Sequence, residues 1–288
     1  MAESSGNELV IDLIAGSASG AVSVFCSQPI DTVLTRVQAK SNLTNTSSVF
    51  VTKSLVSNHG IPSLWRGSAA MIGAIPFQNA IMMAGYGYGK RWCEKYRPDD
   101  VLFGVFIGGC TAGIAQSFLM SPVELIKINQ QVVGKSLSSA TSMVVSGAFS
   151  RKIAWKGLTA TLLRDGLPHG IWFASYECSK NYLENLDSVD PSKHVAPVSL
   201  SSGAFAAFTA WGVGYPFDII KTRIQATKGT TDMTVTQATK EILKESEGRL
   251  FATLYRGFWL KIAKAVPASA INFYVYETIA KKLRSTSL

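Results

Sequence analysis

Three stretches of the chain repeat one pattern: "PIDTVLTRVQ" at residues 29–38, "PVELIKINQQ" at 122–131 and "PFDIIKTRIQ" at 216–225. In each copy an acidic residue lies two positions after the proline and a glutamine lies nine positions after it. A second element, aromatic–basic–glycine, follows each copy as "WRG", "WKG" and "YRG". A pattern that recurs at an almost constant interval indicates three copies of one structural unit.

The composition is that of a membrane protein. Of the 288 residues only 16% are charged, against roughly 25% in ordinary soluble domains. Uncharged stretches long enough to span a bilayer lie between Asp12 and Asp31, Arg66 and Lys90, Asp100 and Glu124, and His194 and Asp218. Two shorter apolar segments, 166–176 and 265–276, become long enough only if Arg164 and Lys264 also lie in the membrane. The sequence therefore predicts six transmembrane helices.

The charge and the absence of certain motifs in the sequence reduce the number of possible functions. The formal net charge of +9 suits anionic lipid head groups or anionic solutes. The basic residues are scattered and no nucleic-acid-binding motif accompanies them, so we do not expect a nucleic-acid partner. Neither a nucleophile–histidine–acid set nor a metal-ligand spacing is recognisable, and the four cysteines lie far apart. We therefore expect no enzymatic activity, no cofactor and no metal.

The tripled motif, with the aromatic–basic–glycine element between its copies, resembles the signature of the mitochondrial carrier family over essentially the whole chain. The resemblance implies an all-α membrane protein: six transmembrane helices in three pseudo-threefold two-helix repeats, with short matrix-side helices. It assigns the repeats to residues 1–95, 96–190 and 191–288. It also implies a monomer in the mitochondrial inner membrane, in contact with anionic lipid such as cardiolipin; a peroxisomal or plastid-envelope location stays open.

The resemblance further implies a matrix-side gate, in which the acid of one repeat pairs with the base of the next. Two pairs are expected, Asp31 with Lys127 and Glu124 with Lys221. In the third repeat the acid and the base of the motif are Asp218 and Lys221. The motif glutamines that would brace these pairs are Gln38, Gln131 and Gln225.

A second gate is expected at the cytoplasmic ends of the even-numbered helices, where the family has aromatic–acid–x–x–base. The stretch "YECSK" at 176–180 is complete, whereas "YGYGK" at 86–90 has Gly87 for the acid and "YETIA" at 276–280 has Ala280 for the base. In the family geometry Gly87 and Ala280 would have been partners, so no charge is stranded. The remaining pairs are Lys90 with Glu177 and Lys180 with Glu277.

Two charged positions mark the substrate path. Arg164 lies about 20 Å along a helix from Glu177, at roughly 1.5 Å per residue, and Lys264 lies equally far from Glu277. A charge at the bilayer centre costs on the order of 2.5–3.5 kcal/mol, so such residues usually face a wet cavity. We therefore expect Arg164, Asp165 and Lys264 to bind the solute. The alternative is that Arg164 and Asp165 only neutralise each other, although adjacent residues point about 100° apart on a helix.

The signs of these charges indicate the solute. Arg164 and Lys264 can donate to a carboxylate, and Asp165 can accept from an ammonium group. Trp211 could add a cation–π contact or could be a packing residue. The Arg-Asp pair resembles the residues at this position in one branch of the family. That branch carries carnitine and acylcarnitine or the basic amino acids ornithine, lysine and arginine. S-Adenosylmethionine transport and a carrier-like receptor or scaffold without transport are the alternatives.

The matrix-side motif generates a first test. Position 34, where the family pattern would put the base that pairs with Asp218, is Leu34, so the sequence predicts two ionic links instead of three. We expect Leu34→Lys to raise the melting temperature of the cytoplasmic-open state, because it supplies the missing base. Thermal unfolding of the purified protein checks this, and an unchanged melting temperature would contradict it.

Overall fold

The computed structural model describes residues 2–39, 47–149, 155–186, 195–227, 233–246 and 248–286. Within them the chain forms ten α-helices: α1 (Ala2–Ala39), α2 (Ser48–His59), α3 (Ser68–Tyr96), α4 (Val101–Ile128), α5 (Leu137–Phe149), α6 (Leu158–Glu184), α7 (Val195–Ala226), α8 (Val235–Glu245), α9 (Leu250–Leu254) and α10 (Phe258–Thr286). A 3₁₀ turn (Ile61–Trp65) precedes α3, and a π-helical segment (Asn129–Val133) extends α4.

The order of the helices repeats three times as long, short, long, with the very short α9 added in the third round. The all-α architecture that the sequence predicts is thereby confirmed. The predicted boundary at 95/96 falls in the last turn of α3, and the predicted boundary at 190/191 lies outside the described residues.

Length and apolar composition alone single out two membrane spans among the described residues, Val10–Ala39 and Val101–Val133. The sequence predicted six, four of them from uncharged length. The other long helices are less apolar because α6 and α10 carry charged residues within their apolar segments, whereas α3 and α7 are rich in glycine, serine and other weakly apolar residues.

Every one of the six long helices contains an internal proline: Pro29, Pro76, Pro122, Pro168, Pro216 and Pro267. The repeated motif accounts for the prolines of the odd-numbered long helices only. A proline removes one backbone donor and clashes with the preceding turn, so it sets the point at which a helix bends most readily. All three repeats therefore carry such a point in both of their long helices.

The helices form two compact units. The first comprises residues 1–80, 119–157 and 222–288, and the second comprises 81–118 and 158–221. In the first unit α1 packs along α10, where a buried apolar cluster contains Ile11, Ala15 and Ala280. Ala280, the residue that replaces a gate base, is thus part of a helix contact.

Glycines allow the helices of the second unit to approach closely. A side chain at Gly85 would lie 2.8 Å from the Cα atom of Ala112, and one at Gly89 would lie 2.8 Å from the Cα atom of Gly108. A side chain at Gly113 on α4 would overlap the carbonyl oxygen of Asp165 on α6. The small residues in "GYGYGK" and "GCTAG" thus allow close packing of the helices.

Three hydrogen bonds attach the turn before α3 to α1. The indole nitrogen of Trp65 donates to the carbonyl of Phe25 (3.0 Å), and the side-chain amide of Gln28 donates to the carbonyl of Arg66 (2.9 Å). The hydroxyl of Thr32 donates to the carbonyl of Leu64 (2.7 Å). The aromatic residue of the "WRG" element therefore fixes the entry into α3.

The glycine of the aromatic–basic–glycine element is required by its backbone conformation, which the sequence did not reveal. Gly67, Gly157 and Gly257 have φ angles of +87°, +84° and +82°, which a residue with a side chain adopts only with strain. A Cβ atom at Gly67 would also lie 2.9 Å from the Cγ atom of Lys127. The turn before α3 thus lies directly against a predicted gate lysine.

We expect Gly67→Ala to lower the melting temperature by several degrees, since it adds backbone strain of about 1–2 kcal/mol and a clash with Lys127. Gly203→Ala in α7 is the matched control, because Gly203 is helical and has open space around it. Alanine is favoured over glycine in helices, so the control should leave the melting temperature unchanged or raise it. Equal shifts in the two variants would contradict this reading of the motif.

Candidate substrate site and gate

The first ionic cluster lies in the first unit and centres on Asp31 of α1, which is 5% exposed. The Nζ atom of Lys127 lies 2.5 Å from Oδ2 of Asp31, and the side-chain amide of Gln131 donates to the same oxygen (3.3 Å). The contact predicted between Asp31 and Lys127 is present. Its function as a gate stays a prediction.

Lys264 joins this cluster, which the sequence did not predict. Its Nζ atom donates to Oδ1 of Asp31, so one carboxylate receives two ammonium groups. The sequence placed Lys264 with the substrate residues and separate from the gate. That separation is wrong for this structure, because a lysine side chain extends over more than one helical turn and its charged end need not lie level with its Cα atom.

The second ionic cluster lies in the second unit and centres on Arg164 of α6. Its Nε and Nη2 atoms each lie 2.6 Å from one carboxylate oxygen of Asp165. The ion pair that the alternative interpretation requires is therefore present, and whether the two residues also bind solute stays a prediction. The helix spacing argued against the ion pair, but the flexible arginine side chain folds back to its neighbour.

The remaining nitrogen of Arg164, Nη1, lies 3.5 Å from Oδ1 of Asp218 on α7. The expectation that Asp218 lacks a basic partner is therefore wrong: a residue predicted to bind substrate takes that place. Leu34, Glu124 and Lys221 are all buried, with exposures of 2%, 8% and 2%.

The three motif glutamines each bond to another repeat, as their predicted bracing function requires. Gln131 donates to the hydroxyl of Thr32 (3.0 Å) as well as to Asp31. Gln225 donates to the carbonyls of Ser121 (3.4 Å) and Lys156 (3.3 Å). The carbonyl oxygen of the Gln38 side chain accepts from the hydroxyl of Thr222 (3.3 Å).

Polar residues of α4, which the sequence did not single out, support Asp165. The hydroxyl of Ser117 donates to Oδ2 of Asp165 (3.4 Å). His169 has its Nδ1 atom 2.7 Å from the carbonyl oxygen of Asp165 and its Nε2 atom 2.7 Å from the amide nitrogen of Gln116. A neutral histidine protonated on Nδ1 satisfies both contacts, since Nε2 then accepts from Gln116. In the sequence, the adjacent polar residues Gln116 and Ser117 in a largely apolar helix were the signal that could have revealed this support for Asp165.

Trp211 is half-buried on α7 in the second unit, the unit that also contains Arg164 and Asp165. Both the cation–π and the packing interpretation are compatible with that exposure.

The lysines of the predicted cytoplasmic gate contact acids of their own helices. Lys90 lies 4.0 Å from Glu94, and Lys180 lies 3.9 Å from Glu184. Within the second unit Lys90 therefore contacts its own helix and not Glu177. The side chain of Lys90 is 46% exposed and that of Lys180 is 36% exposed, and at such exposure a lysine gains as much from an acid one turn away as from one on another helix. The pairing of Lys180 with Glu277, which is exposed, stays a prediction.

Comparison with known proteins divides the chain into the same three repeats. Residues 5–97, 99–187 and 192–287 each match the family described as "Mitochondrial carrier protein". The chain therefore belongs to the mitochondrial carrier family: it is a six-helix, multi-pass transporter of the mitochondrial inner membrane that carries a small solute, and it is not an enzyme.

Relatives whose names give different substrates are about equally similar to this chain. The chain is 30% identical to the mitochondrial arginine transporter of Arabidopsis thaliana, over 100% of this chain and 95% of the relative. It is 29% identical to the glutamate/glycine mitochondrial carrier of Schizosaccharomyces pombe, over 95% and 94%. It is 30% identical to the mitochondrial carnitine/acylcarnitine carrier protein of Homo sapiens, over 94% and 94%.

The pair of Asp31 with Lys127 is more deeply buried than the pair of Lys180 with Glu184, and this difference allows a test. We expect Lys127→Met to lower the melting temperature by several degrees, since it removes one of the two cations that hold the buried carboxylate of Asp31. Lys180→Met is the matched control, because the side chains of Lys180 and Glu184 are 36% and 39% exposed and their pair is worth about 1 kcal/mol at most. Thermal unfolding in one detergent compares the two. A shift for Lys180→Met as large as that for Lys127→Met would contradict the assignment of Asp31 and Lys127 as a buried link.

Proposed function

We propose that this carrier exchanges an amino-acid-like solute that has both a carboxylate and a cationic nitrogen. Carnitine with its acyl esters and the basic amino acids ornithine, lysine and arginine have this chemistry. The exchange proceeds by alternating access, with the matrix-side and cytoplasmic gate residues closing in turn.

The arrangement around Arg164 carries the proposal. Two carboxylates, those of Asp165 and Asp218, face one guanidinium group in the second unit. A second carboxylate beside an already neutral pair favours a cationic group on the solute. A nucleotide or a dicarboxylate would instead be repelled by Asp165, which is 3% exposed and fixed by Ser117.

The arrangement around Asp31 in the first unit supports a carboxylate on the solute. Here two ammonium groups face one carboxylate, and Lys264 has the more exposed of the two side chains (23% against 13% for Lys127). Lys264 is therefore the base that a solute carboxylate can reach more easily.

The substrates that the relatives are named for fit this chemical class. Arginine, glutamate, glycine and carnitine are all amino acids or close analogues. Identities near 30% do not distinguish which of these substrates this chain carries. The Arg164–Asp165 pair favours the cationic members, with S-adenosylmethionine as a further solute of the same charge type.

The contacts within each unit support gate functions for these residues. Asp31 and Lys127 are paired in the first unit, and Lys90 and Lys180 contact acids of their own helices in the second. For the membrane context, the net charge of +9 supports contact with anionic lipid such as cardiolipin, and we infer a monomer.

Counter-exchange in proteoliposomes tests the function. Vesicles are loaded in turn with carnitine, lysine, arginine, ornithine, S-adenosylmethionine, glutamate or ADP, and uptake of each labelled solute is followed. We expect rapid exchange of carnitine or of a basic amino acid and none of ADP. Exchange of ADP alone, or no exchange of any of these solutes by well-folded protein, would contradict the proposal.

Asp165→Asn tests the cation-binding residue. Because asparagine keeps the shape and removes the charge, we expect kcat/KM for a cationic solute to fall at least about tenfold. Asp99→Asn is the matched control, since Asp99 is exposed between α3 and α4. The melting temperature of both variants shows whether they fold. Uptake by folded Asp165→Asn protein with an unaltered KM would place the cation site elsewhere.

A further inference from the structure

We infer that the matrix side of the first repeat contains a binding site for a small phosphate-type anion, held by the guanidinium group of Arg36. The site lies within the first compact unit. It uses none of the residues to which solute binding is assigned, and it does not depend on which solute is carried.

The third repeat shows what an arginine at this position requires. Arg36 and Arg223 each lie seven positions after their motif proline, whereas the second repeat has Asn129 there. The Nη1 and Nη2 atoms of Arg223 donate to the two carboxylate oxygens of Glu245 on α8, at 2.8 and 3.0 Å. The short helix of the third repeat thus supplies an oxyanion in the two-nitrogen geometry that a guanidinium group favours.

The first repeat has no acid for this purpose. Its short helix α2 follows α1 as α8 follows α7, and residues 32–93 contain neither aspartate nor glutamate. Arg36 donates from Nε to the carbonyl of Gln131 (2.7 Å), which leaves its two Nη atoms for another partner. In the part of the chain that the structure describes, no carboxylate pairs with Arg36.

A cavity of about 180 Å³ lies at this arginine. It is lined by Arg36, Ala39, Val51, Ser54 and Val132. These residues belong to the last turns of α1, to α2 and to the π-helical segment. Since one water molecule takes up about 30 Å³ in the liquid, the cavity has room for a small oxyanion.

Ser54 and Arg66 add to the chemistry of the cavity. The hydroxyl oxygen of Ser54 accepts a hydrogen bond from the side-chain amide of Asn58 (3.4 Å), so its own proton is left for a ligand. Arg66 brings a second positive charge to the surroundings of Arg36. Its Nη1 atom lies 3.8 Å from the position that a Cβ atom of Gly134 would occupy, at the end of the π-helical segment. Two guanidinium groups and a hydroxyl donor suit a phosphate-type anion.

The position of the cavity indicates a free anion. Ala39 is the last residue of the apolar span Val10–Ala39, and Val132 is the last but one of Val101–Val133. The cavity therefore lies where these two spans reach the aqueous phase, and its volume takes a complete small anion such as inorganic phosphate. A lipid phosphate is the competing source of the same group.

The anion would connect α1 to α2 through Arg36 and Ser54, as Glu245 connects α8 to α7. A ligand that binds only the folded protein stabilises it by mass action. Phosphate should therefore stabilise this carrier through Arg36.

Thermal unfolding of the delipidated protein in detergent tests the site. Inorganic phosphate is the probe, and sodium chloride of equal ionic strength is the reference. Phosphate also stabilises proteins by exclusion from their surface, but that effect is the same in every variant. We expect saturating phosphate to raise the melting temperature of the wild type by at least about 2 °C more than that of Arg36→Gln.

Lys53→Gln is the matched control, because it removes one positive charge from an exposed position of α2. It should respond to phosphate as the wild type does. An equal response of the wild type and Arg36→Gln, or an equal loss of response in Arg36→Gln and Lys53→Gln, would overturn the inference.

A second pair of variants fills the cavity with an internal acid. Ser54→Glu and Ser54→Gln have the same size and differ by one charge. Without phosphate we expect the melting temperature of Ser54→Glu to exceed that of Ser54→Gln by at least about 2 °C, because the new carboxylate pairs with Arg36. A Ser54→Glu protein that responds to phosphate as strongly as the wild type would overturn the inference. This pair decides the question if Arg36→Gln does not fold.

Equilibrium dialysis with labelled phosphate separates the two sources of the anion. We expect the delipidated wild type to bind a single phosphate, and Arg36→Gln to bind it at least about tenfold more weakly. Stabilisation by micelles that contain phosphatidic acid, dependent on Arg36 and without binding of inorganic phosphate, would assign the cavity to a lipid and overturn the free anion. No effect of either probe that depends on Arg36 would overturn the site itself.

Discussion

An ion buried in a membrane helix must keep an opposite charge within reach, and this constraint governs both ionic clusters of the carrier. Asp31 is held by Lys127 and Lys264, and Arg164 is held by Asp165 and Asp218. Breaking such a pair without a replacement costs about 3–5 kcal/mol. The conformations open to the protein are therefore those in which each charge finds a partner, and a charged solute can serve as that partner.

Much of the fold follows from the repeated motif, because a proline, an acid and a glutamine at fixed spacing identify equivalent helices whatever lies between them. The contact between Asp31 and Lys127 was predictable for the same reason. The contacts of Arg164 and Lys264 were not, because helical spacing fixes the Cα positions but not where a long side chain ends. The positive φ angle of Gly67 was hidden too, since the sequence shows that the glycine recurs but not which conformation it has.

The departures from the family pattern have consequences of different kinds. Ala280 stands where a gate base was expected and is instead buried against Ile11 and Ala15. Next to it the hydroxyl of Tyr276 donates to Asp12 (2.7 Å), so α1 and α10 are joined by packing and a hydrogen bond. Leu34 removes a gate base, and Arg164 lies beside the acid that this base would have served. One substitution is absorbed by packing, and at the other the acid has Arg164 as a cation beside it.

A structure of the protein with bound lysine or carnitine tests the central claim most directly. The account predicts the cationic group of the solute beside Asp165 and its carboxylate within reach of Arg164. A solute bound away from both residues would contradict the account.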